Sequence, residues 1–172
     1  MERTGLLELG GKDAVIVGPD IEVGQKAPDI TLLDQDWNFV NIFDATQGKV
    51  RILAALPSLE TGVCDTETRR FNEEAAALDE DIAIITISTD LPYTQKRWCG
   101  AAGIDRVLVF SDSHKAEFGE KYGCLIRDRR TLRRAAFVVD RDGQVVYADY
   151  MPALGDEPNY EEVLSAAKEA LG

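Results

Sequence analysis

Only one histidine, His114, and three cysteines, Cys64, Cys99 and Cys124, stand among the 172 residues. A Cys–His hydrolase needs an imidazole beside its thiol, so any such pairing must use His114, which follows Asp112 where a helix is expected to begin. No two cysteines have C-x-x-C spacing. A zinc site assembled from the three cysteines and His114 therefore lacks the close ligand pair such sites use, and a dithiol centre of the thioredoxin kind lacks its second thiol. Three cysteines in a chain this long do not make a disulfide framework, so they are expected to be free, reactive or transiently paired. Neither a metal nor a cofactor is expected.

Basic charge is also scarce. Lys and Arg number 19 against 31 Asp and Glu, a net charge of −12, which disfavours nucleic acid and anionic membranes as partners. Arg127, Arg129, Arg130, Arg133 and Arg134 crowd one segment, but without interleaved aromatics they read mostly as a solvated loop that offsets nearby acids. No apolar run approaches the length of a membrane span. Met1 to Gly5 lacks the charged and apolar regions of a secretory signal, so a cytoplasmic protein is expected. There is no repeat, linker or low-complexity tract, and one domain over residues 1–172 is expected, long enough to bury a core without disulfides or metal.

What is present reads as alternating strands and helices. Residues 5–9 and 13–17, joined by Gly10-Gly11-Lys12, predict an N-terminal β-hairpin. Residues 30–33 read as a short strand, and residues 34–37 as a turn before a strand over residues 39–42. Residues 50–56 and 82–87 are nearly continuous apolar runs, as in strands covered on both faces. With a helix between them they predict a βαβ unit and hence parallel pairing. A helix is expected over residues 91–102, a strand over 107–110, a helix over about 113–122 and a strand over 135–139. Asp142-Gly143 predicts a hairpin turn into residues 144–147. A last helix from near Pro158 carries the apolar stripe Tyr160, Val163, Leu164, Ala167 and Leu171.

The stretch Pro57-Ser58-Leu59-Glu60-Thr61-Gly62-Val63-Cys64 lies at the strand-to-helix junction of that unit, where sites form in such folds. From Cys64, the residues Phe71, Ala75 and Leu78 fall at steps 7, 11 and 14, nearly one helical face. Cys64 therefore starts the helix and points to the core. A thiol there meets unpaired N–H groups and the positive end of the macrodipole, which favour thiolate. The ordinary alternatives are a space-filling thiol at Cys64 and simple capping by Thr61, with Pro57 stiffening the entry.

Four blocks in order carry a resemblance to a known family. They are the Pro57–Cys64 stretch; Arg69-Arg70-Phe71-Asn72; Leu91-Pro92-Tyr93-Thr94-Gln95-Lys96-Arg97-Trp98-Cys99-Gly100; and Arg134-Ala135-Ala136-Phe137-Val138-Val139-Asp140. The chain resembles thiol peroxidases of the Tpx type, atypical two-cysteine peroxiredoxins, over nearly its whole length. The resemblance implies an α/β thioredoxin-like fold, a central mixed sheet flanked by helices. It implies a peroxidatic Cys64, a resolving Cys99, and Pro57, Thr61 and Arg134 around the peroxide. Composition alone does not separate Arg134 from Arg133. The implied partners are a hydroperoxide, thioredoxin or a similar dithiol reductant, and a second copy of the chain in a homodimer. Cys124 stands where that family more often has an apolar residue and reads as a buried, space-filling thiol. The reading from a different class is a nonenzymatic thioredoxin-fold module for binding or redox sensing.

Overall fold

A computed structural model describes residues 1–172. The chain begins with β1 (Glu2–Arg3), β2 (Glu8–Leu9), β3 (Lys12–Asp13) and β4 (Ile16–Val17). The expected hairpin is present as two rungs: β2 pairs with β3 across a tight Gly10-Gly11 turn, and β1 pairs with β4 further out. Next come β5 (Thr31–Leu33), β6 (Phe39–Asn41) and a single-turn α1 (Ile42–Ala45). Ile42, read as strand in the sequence, starts that turn because Asn41 caps it, its side chain accepting from the N–H groups of Phe43 and Asp44.

The centre is β7 (Val50–Ala55), α2 (Gly62–Ala75) and β8 (Ile82–Ser88), followed by α3 (Pro92–Ala102) and β9 (Leu108–Ser111). As expected, β7, β8 and β9 run parallel. Helix α2 stops at Ala75, and Leu78 beyond it still packs on the same core. Gly103, in a left-handed conformation, ends α3 by donating its N–H to the carbonyl of Cys99.

The remainder is α4 (Glu117–Lys121), β10 (Leu125–Ile126), β11 (Thr131–Leu132), β12 (Ala135–Val139), β13 (Val145–Tyr150) and α5 (Tyr160–Leu171). Two expectations are corrected here. The helix read over residues 113–122 is only one turn long, because Ala116 adopts a positive φ of 53° just before it. The arginine-rich segment is not an open loop: β10 and β11 form a small hairpin that also pairs with β4.

The main sheet has seven strands in the order β13-β12-β7-β8-β9-β5-β6. Helices cover both of its faces, and alternate residues of each buried strand feed two separate cores. One core holds Ile52, Ala54, Ala136 and Val138 under α2, α3 and α5; the other holds Leu53, Ala55, Phe137 and Val139 with Phe118 and Tyr122. The mixed, helix-covered sheet is the thioredoxin-like arrangement expected. At Gly18 the hairpin passes so close to the end of α4 that a Cβ would lie 1.9 Å from the Glu120 carbonyl oxygen, at a φ of +94°. No helix is long and apolar enough to cross a membrane.

Candidate active site

Helix α2 starts where β7 ends, after a loop that Asp90 holds. The Asp90 carboxylate accepts from the Ser58 hydroxyl at 2.7 Å, the Leu59 N–H at 2.8 Å and the Ser88 hydroxyl at 2.8 Å. Pro57, buried, leads into this loop. Thr61 is the N-cap: its hydroxyl oxygen accepts from the Cys64 N–H at 3.2 Å while the hydroxyl lies 3.3 Å from the Ser58 carbonyl, to which it donates. The capping role that the sequence left open is thus the one Thr61 occupies at rest. Cys64 is the third residue of α2 and is fully buried, in the same core as Phe71, Trp98 and Cys99.

Arg134 reaches this thiol from across the sheet. Its Nη2 lies 3.1 Å from the Cys64 Sγ and its Nη1 3.1 Å from the Glu67 Oε2. Nη2 and Nε both donate to the Leu154 carbonyl, at 2.9 and 3.2 Å. One planar fork thus aims at sulfur, carboxylate and carbonyl together, which a lysine cannot do. Arg133 points the other way, donating to the Gly123 carbonyl, pairing with Asp20 and lying 4.0 Å over the Tyr150 ring. Strand alternation separates the two: Arg134 shares a face with Ala136 and Val138, and Arg133 shares the opposite face with Ala135 and Phe137. Both arginines are buried, Arg134 at 1% and Arg133 at 3% exposure, so Arg133 too stands apart from the solvated loop that most of the cluster was expected to form. Arg127, Arg129 and Arg130 do lie exposed, around the hairpin turn.

Sequence reasoning missed Glu67 and Asp90. Glu67 is fully buried, and burial pushes its carboxyl up to about 7 against the pull of Arg134. Its Oε1 has no hydrogen-bond partner. The signal was available: Glu67 lies three residues after Cys64, on the apolar stripe, and a charged residue in a core stripe requires a buried partner.

Cys99 lies on α3 at 6% exposure. Burial raises its thiol above the ordinary value. All three cysteines are free. Cys64 and Cys99 share one core, whereas Cys124 lies in the core on the other face of the sheet. Burial pushes the Cys124 thiol up to about 12, and its Sγ lies 3.5 Å from the Tyr122 carbonyl. His114 packs edge-on against Phe39 at 5.3 Å and stands outside α4, whose first-turn N–H groups of Phe118 and Gly119 donate to the Asp112 carboxylate. No three His, Cys, Asp or Glu side chains are grouped to hold a metal ion.

A buried thiol at a helix start, facing an arginine on a mixed helix-covered sheet, defines a thioredoxin-fold thiol site. The Redoxin family model matches residues 22–164. The thiol peroxidase of Bacillus subtilis is 48% identical over 158 residues, covering 92% of this chain and 93% of its relative. That of Oceanobacillus iheyensis is 47% identical over 150 residues, covering 87% and 90%. Among solved structures, a peroxiredoxin-like protein from Aquifex aeolicus superposes with a TM-score of 0.86 at 36% identity, covering 98% of this chain and 97% of the other. The chain belongs to the Redoxin family and, within it, to the thiol peroxidases.

Proposed function

We propose that the protein is a thiol-dependent peroxidase that reduces hydrogen peroxide and alkyl hydroperoxides, with Cys64 as nucleophile and Cys99 as resolving thiol. The observation that carries the reading is the Arg134 guanidinium 3.1 Å from the Cys64 Sγ, both buried. The Cys64 thiolate attacks one peroxide oxygen, the O–O bond breaks, and water or an alcohol leaves, with sulfenic acid left on Cys64.

Supplying thiolate is not enough. Full ionisation at pH 7 multiplies the few per cent present in an ordinary thiol by only roughly 30, and nucleophilicity falls as the thiol becomes more acidic. The larger effect is assigned to alignment and charge stabilisation of the breaking O–O bond. Arg134 is suited to this role, because one N–H already points at sulfur and Glu67 and the Leu154 carbonyl hold the fork in place. Thr61 would accept the peroxide hydrogen and donate toward sulfur by turning its hydroxyl from the Ser58 carbonyl. Pro57 shapes the entry to the pocket. Cys64 is sealed at rest with exposed Thr61 and Gly62 beside it, so the site suits a small substrate admitted by a shift of that loop.

Cys99 then condenses with the sulfenic acid. A disulfide requires Cα atoms within about 7 Å, and the two cysteines lie on different helices. The first turn of α2 and the Cys99 segment therefore partly unwind for closure. Thioredoxin or a similar dithiol reduces the disulfide. The protein works in the cytoplasm as a homodimer. Peroxide consumption with thioredoxin and its reductase, comparing the intact protein with C64S and C99S, tests the scheme. C64S should be inactive and C99S unable to cycle normally; undiminished turnover in C64S would end the proposal.

A further inference from the structure

The N-terminal hairpin reaches the Cys64 site through one residue of a loop far away in sequence. Leu7, Ala14 and Ile16 pack with Ile126 of β10 into a small core apart from the two on the main sheet, and Leu154, in the loop between β13 and α5, packs against it. Strand β4 pairs with β10, with Ile16 opposite Ile126, so the hairpin side of this core is fixed to the rest of the chain. Between residues 152 and 157 every residue is exposed except Leu154. Its side chain is therefore what anchors that stretch. The carbonyl of the same residue accepts from Arg134 Nη2 at 2.9 Å and from Nε at 3.2 Å.

That carbonyl lies where the backbone turns over easily. Asp156 donates its N–H to the Ala153 carbonyl at 3.2 Å, so Leu154 and Gly155 are the central residues of a β-turn and the Leu154 carbonyl belongs to its middle peptide. In turns of types I and II that peptide faces opposite ways while the flanking residues stay in place, and a glycine at the third position accepts both. A Cβ on Gly155 would meet nothing within 4 Å, so packing there does not choose between them. The carbonyl is held on Arg134 by its bonds to the guanidinium and by the Leu154 side chain lodged in the hairpin core. The guanidinium is planar: Glu67 holds it at Nη1, and this carbonyl holds the opposite edge at Nε and Nη2. Nη2 is also the nitrogen 3.1 Å from the Cys64 Sγ. Held on both sides, the plane cannot pivot; held by Glu67 alone, it turns about Nη1 and carries Nη2 off the sulfur.

We propose that the N-terminal hairpin is a positioning element of the peroxide site: by lodging the Leu154 side chain it fixes the Leu154 carbonyl, and with it the Arg134 guanidinium against the Cys64 sulfur; this rests on the peroxidase reading above. The step it serves is attack of the Cys64 thiolate on the peroxide. An S–O bond forms, the O–O bond breaks, and the leaving oxygen takes up the proton that the thiol released and departs as water or alcohol. Nη2 stands beside the atoms on which charge develops, so a displaced fork slows this step and leaves the rest of the chemistry intact. Leu7, Ile16 and Leu154 are thus positioning residues that act through Arg134 and not on the peroxide.

The test compares L154A, which empties part of the hairpin core and leaves the carbonyl in place, L7A, which opens the same core from the hairpin side, and L154M, which refills it. Reduced full-length proteins are mixed with hydrogen peroxide under conditions where urea curves show each variant folded, and the second-order rate of Cys64 oxidation is read by competition with a reference peroxidase. L154A and L7A should slow that oxidation roughly three- to thirtyfold, and L154M should recover most of the loss. In R134K, which lacks the fork, L154A should cost no more than about twofold further, because both substitutions act through one group. A hairpin that only stabilises the fold gives a different result: lower stability at the parent rate, or the same fold loss with Arg134 and with R134K. Either outcome overturns the hairpin's role and leaves the peroxidase reading standing. If peroxide oxidises no Cys64 in the parent protein, the peroxidase reading falls and the hairpin's role with it. Should L154A fail to fold, L7A carries the comparison in both backgrounds.

Discussion

Glu67 and Arg134 face each other at 3.1 Å with side-chain exposures of 0% and 1%, and one Glu67 oxygen has no partner at all. The guanidinium that reaches Cys64 is therefore oriented by a carboxylate whose own burial opposes its charge. Removing either partner of a buried pair costs more than the pair contributes, because the other is left unmatched.

The first prediction concerns acidity. Burial raises the Glu67 carboxyl from 4.5 to about 7. Between those values the folded state holds a proton that the unfolded chain has released, so stability is highest below about pH 4.5, declines as pH rises, and levels off above about 7. The full fall attributable to Glu67 is on the order of 3 kcal/mol. Asp112, pushed up to about 6 by burial, adds a decline of the same sign that E67Q does not alter. Urea unfolding from pH 5 to 8 should show a shallower slope for E67Q, and equal slopes would refute the assignment.

Replacing Arg134 by lysine keeps the charge and loses the fork. A lysine ammonium cannot serve the sulfur, Glu67 and the Leu154 carbonyl in one plane. The second-order rate of Cys64 oxidation in R134K should fall about 10²- to 10³-fold, as read by competition with a reference peroxidase. R133K should change that rate little, because Arg133 lies on the opposite face of the sheet.

Cys124 is sealed in the other core with its thiol pushed up to about 12, so it should be inert. C124A should keep turnover within about twofold and lower stability by about 1 kcal/mol for the lost volume. A tenfold loss of turnover would show that this thiol takes part.

At Gly18 the backbone tolerates nothing larger. G18A would force a methyl against the Glu120 carbonyl at a φ of +94°, and a loss of about 3 kcal/mol or more is expected from urea midpoints. A variant as stable as its parent would mean that the hairpin packs elsewhere.

The central strands, α2, α3 and the β12 strand were legible because burial on both faces and helical period write themselves into residue order. Cys64 was legible for the same reason, as the first member of a helical stripe that includes Phe71. The short β10–β11 hairpin was not, because two-residue strands have no period and exist through pairing with β4. Nor was the length of α4, which the left-handed Ala116 decides. Composition could not tell Arg134 from Arg133; the resemblance pointed to Arg134, and the physical reason, which sheet face α2 covers, is a long-range fact. Glu67 left a trace, a charge in an apolar stripe, but its partner is 67 residues away.

The most direct measurement is the fate of the three thiols after one equivalent of peroxide. Reduced protein should lose two thiols per chain, and a non-reducing digest should yield the Cys64 and Cys99 peptides linked, with Cys124 still free. In C99S the product should stop at sulfenic acid on Cys64. A Cys64 that stays a thiol while peroxide is consumed, or a disulfide that includes Cys124, would contradict the account.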